Sequence, residues 1–102
     1  MNRFRNPTTI PKRQALAIAR RNHPMPFPVG DGWQFRHYDT RRQAWVQSRT
    51  YATRAEAVQA RGAKAAGAAA YLTTEDDEMI HAAEASVLAY GGRWTDHVPD
   101  QT

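Results

Sequence analysis

Between Trp33 and Tyr38 the side chains alternate in character. Successive strand residues point to opposite faces, so Trp33, Phe35 and His37 fall on one side and Gln34, Arg36 and Tyr38 on the other. A turn follows at Asp39-Thr40-Arg41-Arg42, and a second run turns Ala44 and Val46 inward while Gln43, Trp45, Gln47 and Arg49 look outward. This predicts a small antiparallel sheet of about three strands over residues 33–52, with one face under helix and one free. At Thr53 the period changes. Thr53 with Glu56 three residues on makes a capping box, which predicts an alanine-rich helix over 53–72 with Val58, Ala65, Ala69 and Leu72 on its packing stripe. Thr73-Thr74-Glu75-Asp76-Asp77-Glu78 reads as another start, a hydroxyl cap followed by carboxylates at the positive end of the dipole. The second long helix is expected over 74–90, with Ile80, Ala83, Val87 and Tyr90 at helical spacing and Gly91-Gly92 as its stop.

Upstream, residues 1–9 are polar, basic and broken by Pro7, the pattern of a mobile arm whose Arg3 and Arg5 reach a polyanion or simply solvent. Residues 10–22 predict a short basic helix with Pro11 in its first turn and Ala15, Leu16, Ile18 and Ala19 toward the core. The stretch 23–32, HPMPFPVGDG, cannot be helical, because its prolines remove donors and enforce extended backbone. It reads as a stiff connector, with Met25, Phe27 and Val29 packing on the sheet or its edge. Residues 91–102 read as a tail, with Trp94 tucked against the helices. The fold class is therefore α+β in a single domain over 1–102, two long helices covering one sheet face, plus the N-terminal helix.

Composition sharpens the picture. A chain of 102 residues can bury one core. With no cysteine there are no disulfides or thiolate sites, and a cytoplasmic location is expected. No apolar run approaches the ~20 residues of a spanning helix, so no membrane partner is expected. The net charge of +4 conceals a division. Residues 1–54 carry eleven Lys/Arg against Asp31 and Asp39, giving +9, whereas residues 55–102 carry three against eight carboxylates, giving −5. A basic half attracts polyanions in a salt-dependent way.

Catalytic chemistry has little to stand on. The four histidines, at 23, 37, 81 and 97, lack partners at metal-ligand spacing, and no phosphate loop or serine elbow occurs, so no metal, no cofactor and no enzyme activity are expected. His37 and the acidic turn at 75–78 come nearest to reactive groups. The constellation that remains is Arg36, Tyr38, Arg41, Arg42, Gln43, Trp45, Gln47 and Arg49 on one sheet face and its turn, with Lys12, Arg13, Arg20 and Arg21 as auxiliary cations.

Residues 31–57 resemble the DNA-binding domain of plant Apetala/ethylene-response factors and its relatives in phage and mobile-element integrases. The likeness rests on Trp33, Asp39, Thr50-Tyr51, Thr53 and Glu56-Ala57. Where that family has a glycine- and arginine-rich first strand, this chain has Pro24-Met25-Pro26-Phe27-Pro28. The resemblance implies a small nucleic-acid-binding protein of phage or mobile-element type, with Arg36 and Arg49 on phosphates or guanine edges, Gln43 and Gln47 on adenine, Trp45 on sugar or backbone, and Arg41 and Arg42 on phosphates. Another class stays open beside it. Trp, Tyr and Arg also dominate protein interfaces, so an inhibitor or adaptor of the anti-defence, anti-CRISPR-like kind, bound to a host protein or nucleoprotein complex, would use the same face or the acidic helix. A homodimer through the alanine-rich helix or the Met79/Ile80 face is a third arrangement.

Overall fold

The computed structural model describes residues 9–100, so all of the expected arm except Thr9 lies outside the described residues. Eight elements follow one another: α1 (Lys12–Asn22), β1 (Phe27–Val29), β2 (Gly32–Gln34), β3 (Arg36–Asp39), β4 (Ala44–Gln47), α2 (Arg54–Thr73), α3 (Asp77–Tyr90) and a 3-10 turn (Trp94–His97). The architecture is α+β, with antiparallel pairs β1–β2 and β3–β4 forming two small sheets in place of one three-stranded sheet.

The division has a local cause. Arg36 lies opposite Gln47, yet Trp33, three residues earlier, lies opposite Tyr51, four residues later. One residue is therefore extra on the second side, and the ladder bulges. At the break the Phe35 N–H donates to Ser48 Oγ at 2.9 Å rather than to a carbonyl, while the Ser48 N–H donates to the Phe35 carbonyl at 2.8 Å. Side-chain parity is reset across the bulge.

The proline-rich segment is more than a connector. Val29 pairs with Gly32 around the two-residue Gly30-Asp31 turn, where Gly30 adopts φ 58, the left-handed backbone that glycine tolerates. Pro28 sits opposite Trp33, whose N–H and C=O both engage Tyr51 at 2.8 Å. These groups point away from β1, so the missing proline donor breaks no ladder bond. Gly32 is the close crossing: a Cβ there would stand 2.5 Å from Thr50 Cγ2 and 2.7 Å from the Tyr51 carbonyl oxygen. Gly32→Ala is expected to lose about 1–3 kcal/mol in urea unfolding. Thr50→Ser removes the methyl but not the carbonyl and is expected to restore little; full stability of Gly32→Ala alone would show the crossing to be loose.

The helical layer is built on alanine. Ala15 and Ala19 of α1, Ala63, Ala66, Ala69 and Ala70 of α2, and Ile80, Ala83 and Val87 of α3 share one core with Val98. Side chains this small let helix axes approach closely. Thr53 caps α2 as expected, its Oγ1 accepting from the Glu56 N–H at 3.1 Å. The start of α3 differs from the hydroxyl cap predicted for it: Asp76 supplies the oxygen, accepting from the N–H groups of Glu78 and Met79, while Thr73 Oγ1 donates to the Ala70 carbonyl. The helices also do not both lie on the sheet. α2 meets β2 and α1 meets β3, whereas α3 packs chiefly on α2 and the 3-10 turn. The expected tail is structured, with Val98 buried and Trp94 beside Gly62 of α2. The alanine stripe of α2 and Ile80 are covered by neighbouring elements of the same chain, while Met79 stays exposed.

Candidate functional site

Cross-strand partners share a face, so the register defines the free surface. Arg36 stands beside Gln47, and Tyr38 beside Trp45, its ring centroid 5.6 Å away in an edge-to-face arrangement. On the other sheet Phe27 stands beside Gln34, on the same side as Arg36 because buried Phe35 lies between. The two sheets thus present one outward surface. Trp45 is 55 % exposed and Phe27 37 %. A hollow in this surface is lined by Pro24, Met25, Phe27, Arg36 and Gln47. The amides are tied together: Gln47 Nε2 donates to Gln34 Oε1, and Gln34 Nε2 donates to Thr50 Oγ1 at 2.7 Å.

Four of the eight predicted site residues, Arg36, Tyr38, Trp45 and Gln47, come together here. Arg42 and Gln43 sit at the hairpin tip. Asp39 Oδ1 accepts from the Arg41 and Arg42 N–H groups at 2.9 and 3.2 Å, Asp39 Oδ2 lies 3.7 Å from Arg42 Nε, and Gln43 takes φ 54. Gln43 therefore belongs to the turn rather than to an outward strand position. Arg41 turns back, its guanidinium 4.6 Å from the centre of the Tyr71 ring. Arg49 also leaves this face while staying exposed to solvent, because the bulge reverses its parity; it stacks 4.1 Å from the centre of the Tyr51 ring, itself stacked on Phe35. Thr50 takes the outward place.

The auxiliary cations belong to the helical layer. Lys12 pairs with Asp100 at 3.2 Å, and Arg20 lies 5.8 Å from the Trp94 ring centre. Arg13 and Arg21 are exposed. The surface residues absent from the sequence-based set are Phe27, Met25, Val29 and Gln34. The Gly30-Asp31 pair was the signal for the first three, since Gly-Asp between apolar residues marks a tight hairpin.

On the inner side, His23 stacks on His37, centroids 5.4 Å apart and planes within 4°. His23 Nδ1 lies 2.7 Å from the Ala19 carbonyl, so that nitrogen carries the proton. Burial lowers the His23 pKa to about 4, outweighing this bond, and burial followed by the nearby Lys64 charge lowers that of His37. Arg61 Nε holds the His23 carbonyl at 2.8 Å. A cleft of about 190 Å³ beside the stack takes in Arg41, Lys64, Tyr71 and Glu84, with Lys64 and Glu84 3.8 Å apart. Its charges are balanced, and among the described residues no three His, Asp or Glu side chains converge as a metal site requires.

No family model, curated protein or solved structure matches this chain. No described helix is long and apolar enough to cross a membrane.

Proposed function

We propose that the chain is a non-enzymatic nucleic-acid-binding protein and that the outward surface around Arg36, Tyr38, Trp45 and Gln47 is where the polyanion lies. The observation that carries this reading is an indole more than half exposed, standing edge-on to Tyr38 in the row next to an exposed arginine, within the half of the chain that bears +9. Such a surface offers an unspent guanidinium for phosphate and ring faces for sugars and bases. The likeness of residues 31–57 to the Apetala/ethylene-response-factor domain supports the same class, in a setting of phages and mobile elements.

A mobility-shift assay with random duplex and single-stranded DNA tests it; no retardation of either at micromolar protein in low salt would remove the proposal. Arg36→Ala is expected to weaken binding about tenfold and to flatten the salt dependence by roughly one phosphate, with the melting temperature nearly unchanged. Arg49→Ala is expected to do much less, because that side chain is turned onto Tyr51. Equal losses from both would mean diffuse attraction without a defined surface.

A second reading is favoured by one feature. Met25, Phe27 and Val29 add exposed apolar area to the Trp45 surface, which suits an inhibitor or adaptor docked on a host protein complex. In that case the assay shows no shift, and the same surface substitutions weaken the protein complex instead.

A further inference from the structure

Resting on the nucleic-acid reading, we infer that the bound strand is single, its unpaired bases stacking on Trp45 and Phe27 and its backbone held by Arg36. Reading a duplex in its major groove calls for hydrogen-bonding groups free to meet base edges. On this surface the amides best suited to that are already engaged. Gln34 uses its oxygen for Gln47 and its nitrogen for Thr50, and Gln47 commits its nitrogen to Gln34, so a bidentate contact with adenine by either amide competes with the bonds that tie them together. What carries no such tie is chiefly ring and apolar surface, together with the Arg36 guanidinium.

Spacing points the same way. Trp45 shares its row with Tyr38, Arg36 lies in the next row on the same face, and Phe27 faces Gln34 in the row after that. Same-face strand positions are about 7 Å apart, so the Trp45 and Phe27 rows, two steps from each other with Arg36 between, stand about 14 Å apart, roughly four times the ~3.4 Å separation of stacked bases along one duplex strand. Bases of one strand that reach both rings, with the backbone passing Arg36 between them, do so only if they have left their own stack. Aromatic platforms of this kind hold single strands with little regard for sequence. The pairing of Tyr38 edge-on to Trp45 fixes the indole orientation, so the platform is set before a base arrives.

Fluorescence anisotropy with a labelled mixed-sequence strand of about 12 nucleotides, within the ~4–16 nucleotides typical of single-strand sites, is the direct experiment. It is run as DNA, as RNA and as the matching duplex at about 100 mM salt. At least one single strand is expected to bind tenfold or more tighter than the duplex. Trp45→Ala and Phe27→Ala are each expected to weaken it by about 5- to 100-fold, while Trp45→Phe keeps most of the affinity. Unchanged melting curves for these exposed substitutions separate lost stacking from lost fold. Duplex binding as tight as single-strand binding, still sensitive to Arg36→Ala, would overturn this inference and leave the nucleic-acid reading standing. No binding of any of the three would overturn both.

Discussion

Phe35→Ala is expected to cost about 3–5 kcal/mol, the largest effect of any single substitution proposed for this chain. Phe35 is 1 % exposed and among the few large side chains enclosed by a core that is otherwise mostly alanine. An aromatic ring removes some 150–250 Å² from water, so at about 25 cal/mol per Å² one residue contributes several kcal/mol, whereas each alanine contributes little. The ring also organises its surroundings, stacked on Tyr51 with centroids 6.0 Å apart and touching His37 at 6.1 Å. These contacts hold the two sheets together at the residue where the ladder breaks. Against a total stability of about 5–15 kcal/mol, the loss lowers the melting temperature by roughly 15–30 °C. Phe35→Leu, which refills most of the space, is expected to lose less than half as much. A loss below 1 kcal/mol for the alanine variant, measured by urea unfolding, would mean that the two sheets are not held at this point.

The reach of sequence reasoning followed the range of the forces involved. Alternation placed Phe35 and His37 inward and Arg36 and Trp45 outward, because parity in a strand is a local property. The Thr53 cap was legible for the same reason: donor and acceptor are three residues apart. Parity failed at Arg49, where one residue inserted between Ser48 and Tyr51 exchanged faces, and nothing in the residue types marks a bulge whose bond runs to a serine side chain 13 positions away. The prolines hid β1 in another way. Proline argues against a strand in general, but Pro28 sits at the one register position where no donor is needed, a fact that depends on Trp33 being turned toward Tyr51. Arg41 and Lys12 went to partners distant in sequence, Tyr71 and Asp100. A positively charged side chain near a turn or helix end carries no mark of which distant ring or carboxylate will take it.

Lowering the pH from 7 to 4 is expected to remove about 3 kcal/mol of stability through His23 alone. In the folded protein burial holds this imidazole near pKa 4, against an ordinary value of 6.5 in the unfolded chain. Between those values the unfolded chain binds more protons, so stability falls as the pH falls. The contribution is complete above pH 6.5, declines progressively to about pH 4, and loses little further below that, where both states carry the proton. His37 shifts in the same direction and steepens the decline, and a charge on either ring of the stack disfavours one on the other. Urea midpoints taken across this window measure the effect. His23→Asn is the informative variant, because its amide nitrogen sits where Nδ1 stood and can still donate to the Ala19 carbonyl without titrating. It is expected to be less stable at pH 7, having lost the stacked ring, yet to show a markedly flatter dependence between pH 6.5 and 4. An unchanged slope in that variant would place the acid sensitivity among the carboxylates and leave the buried imidazole without a part in it.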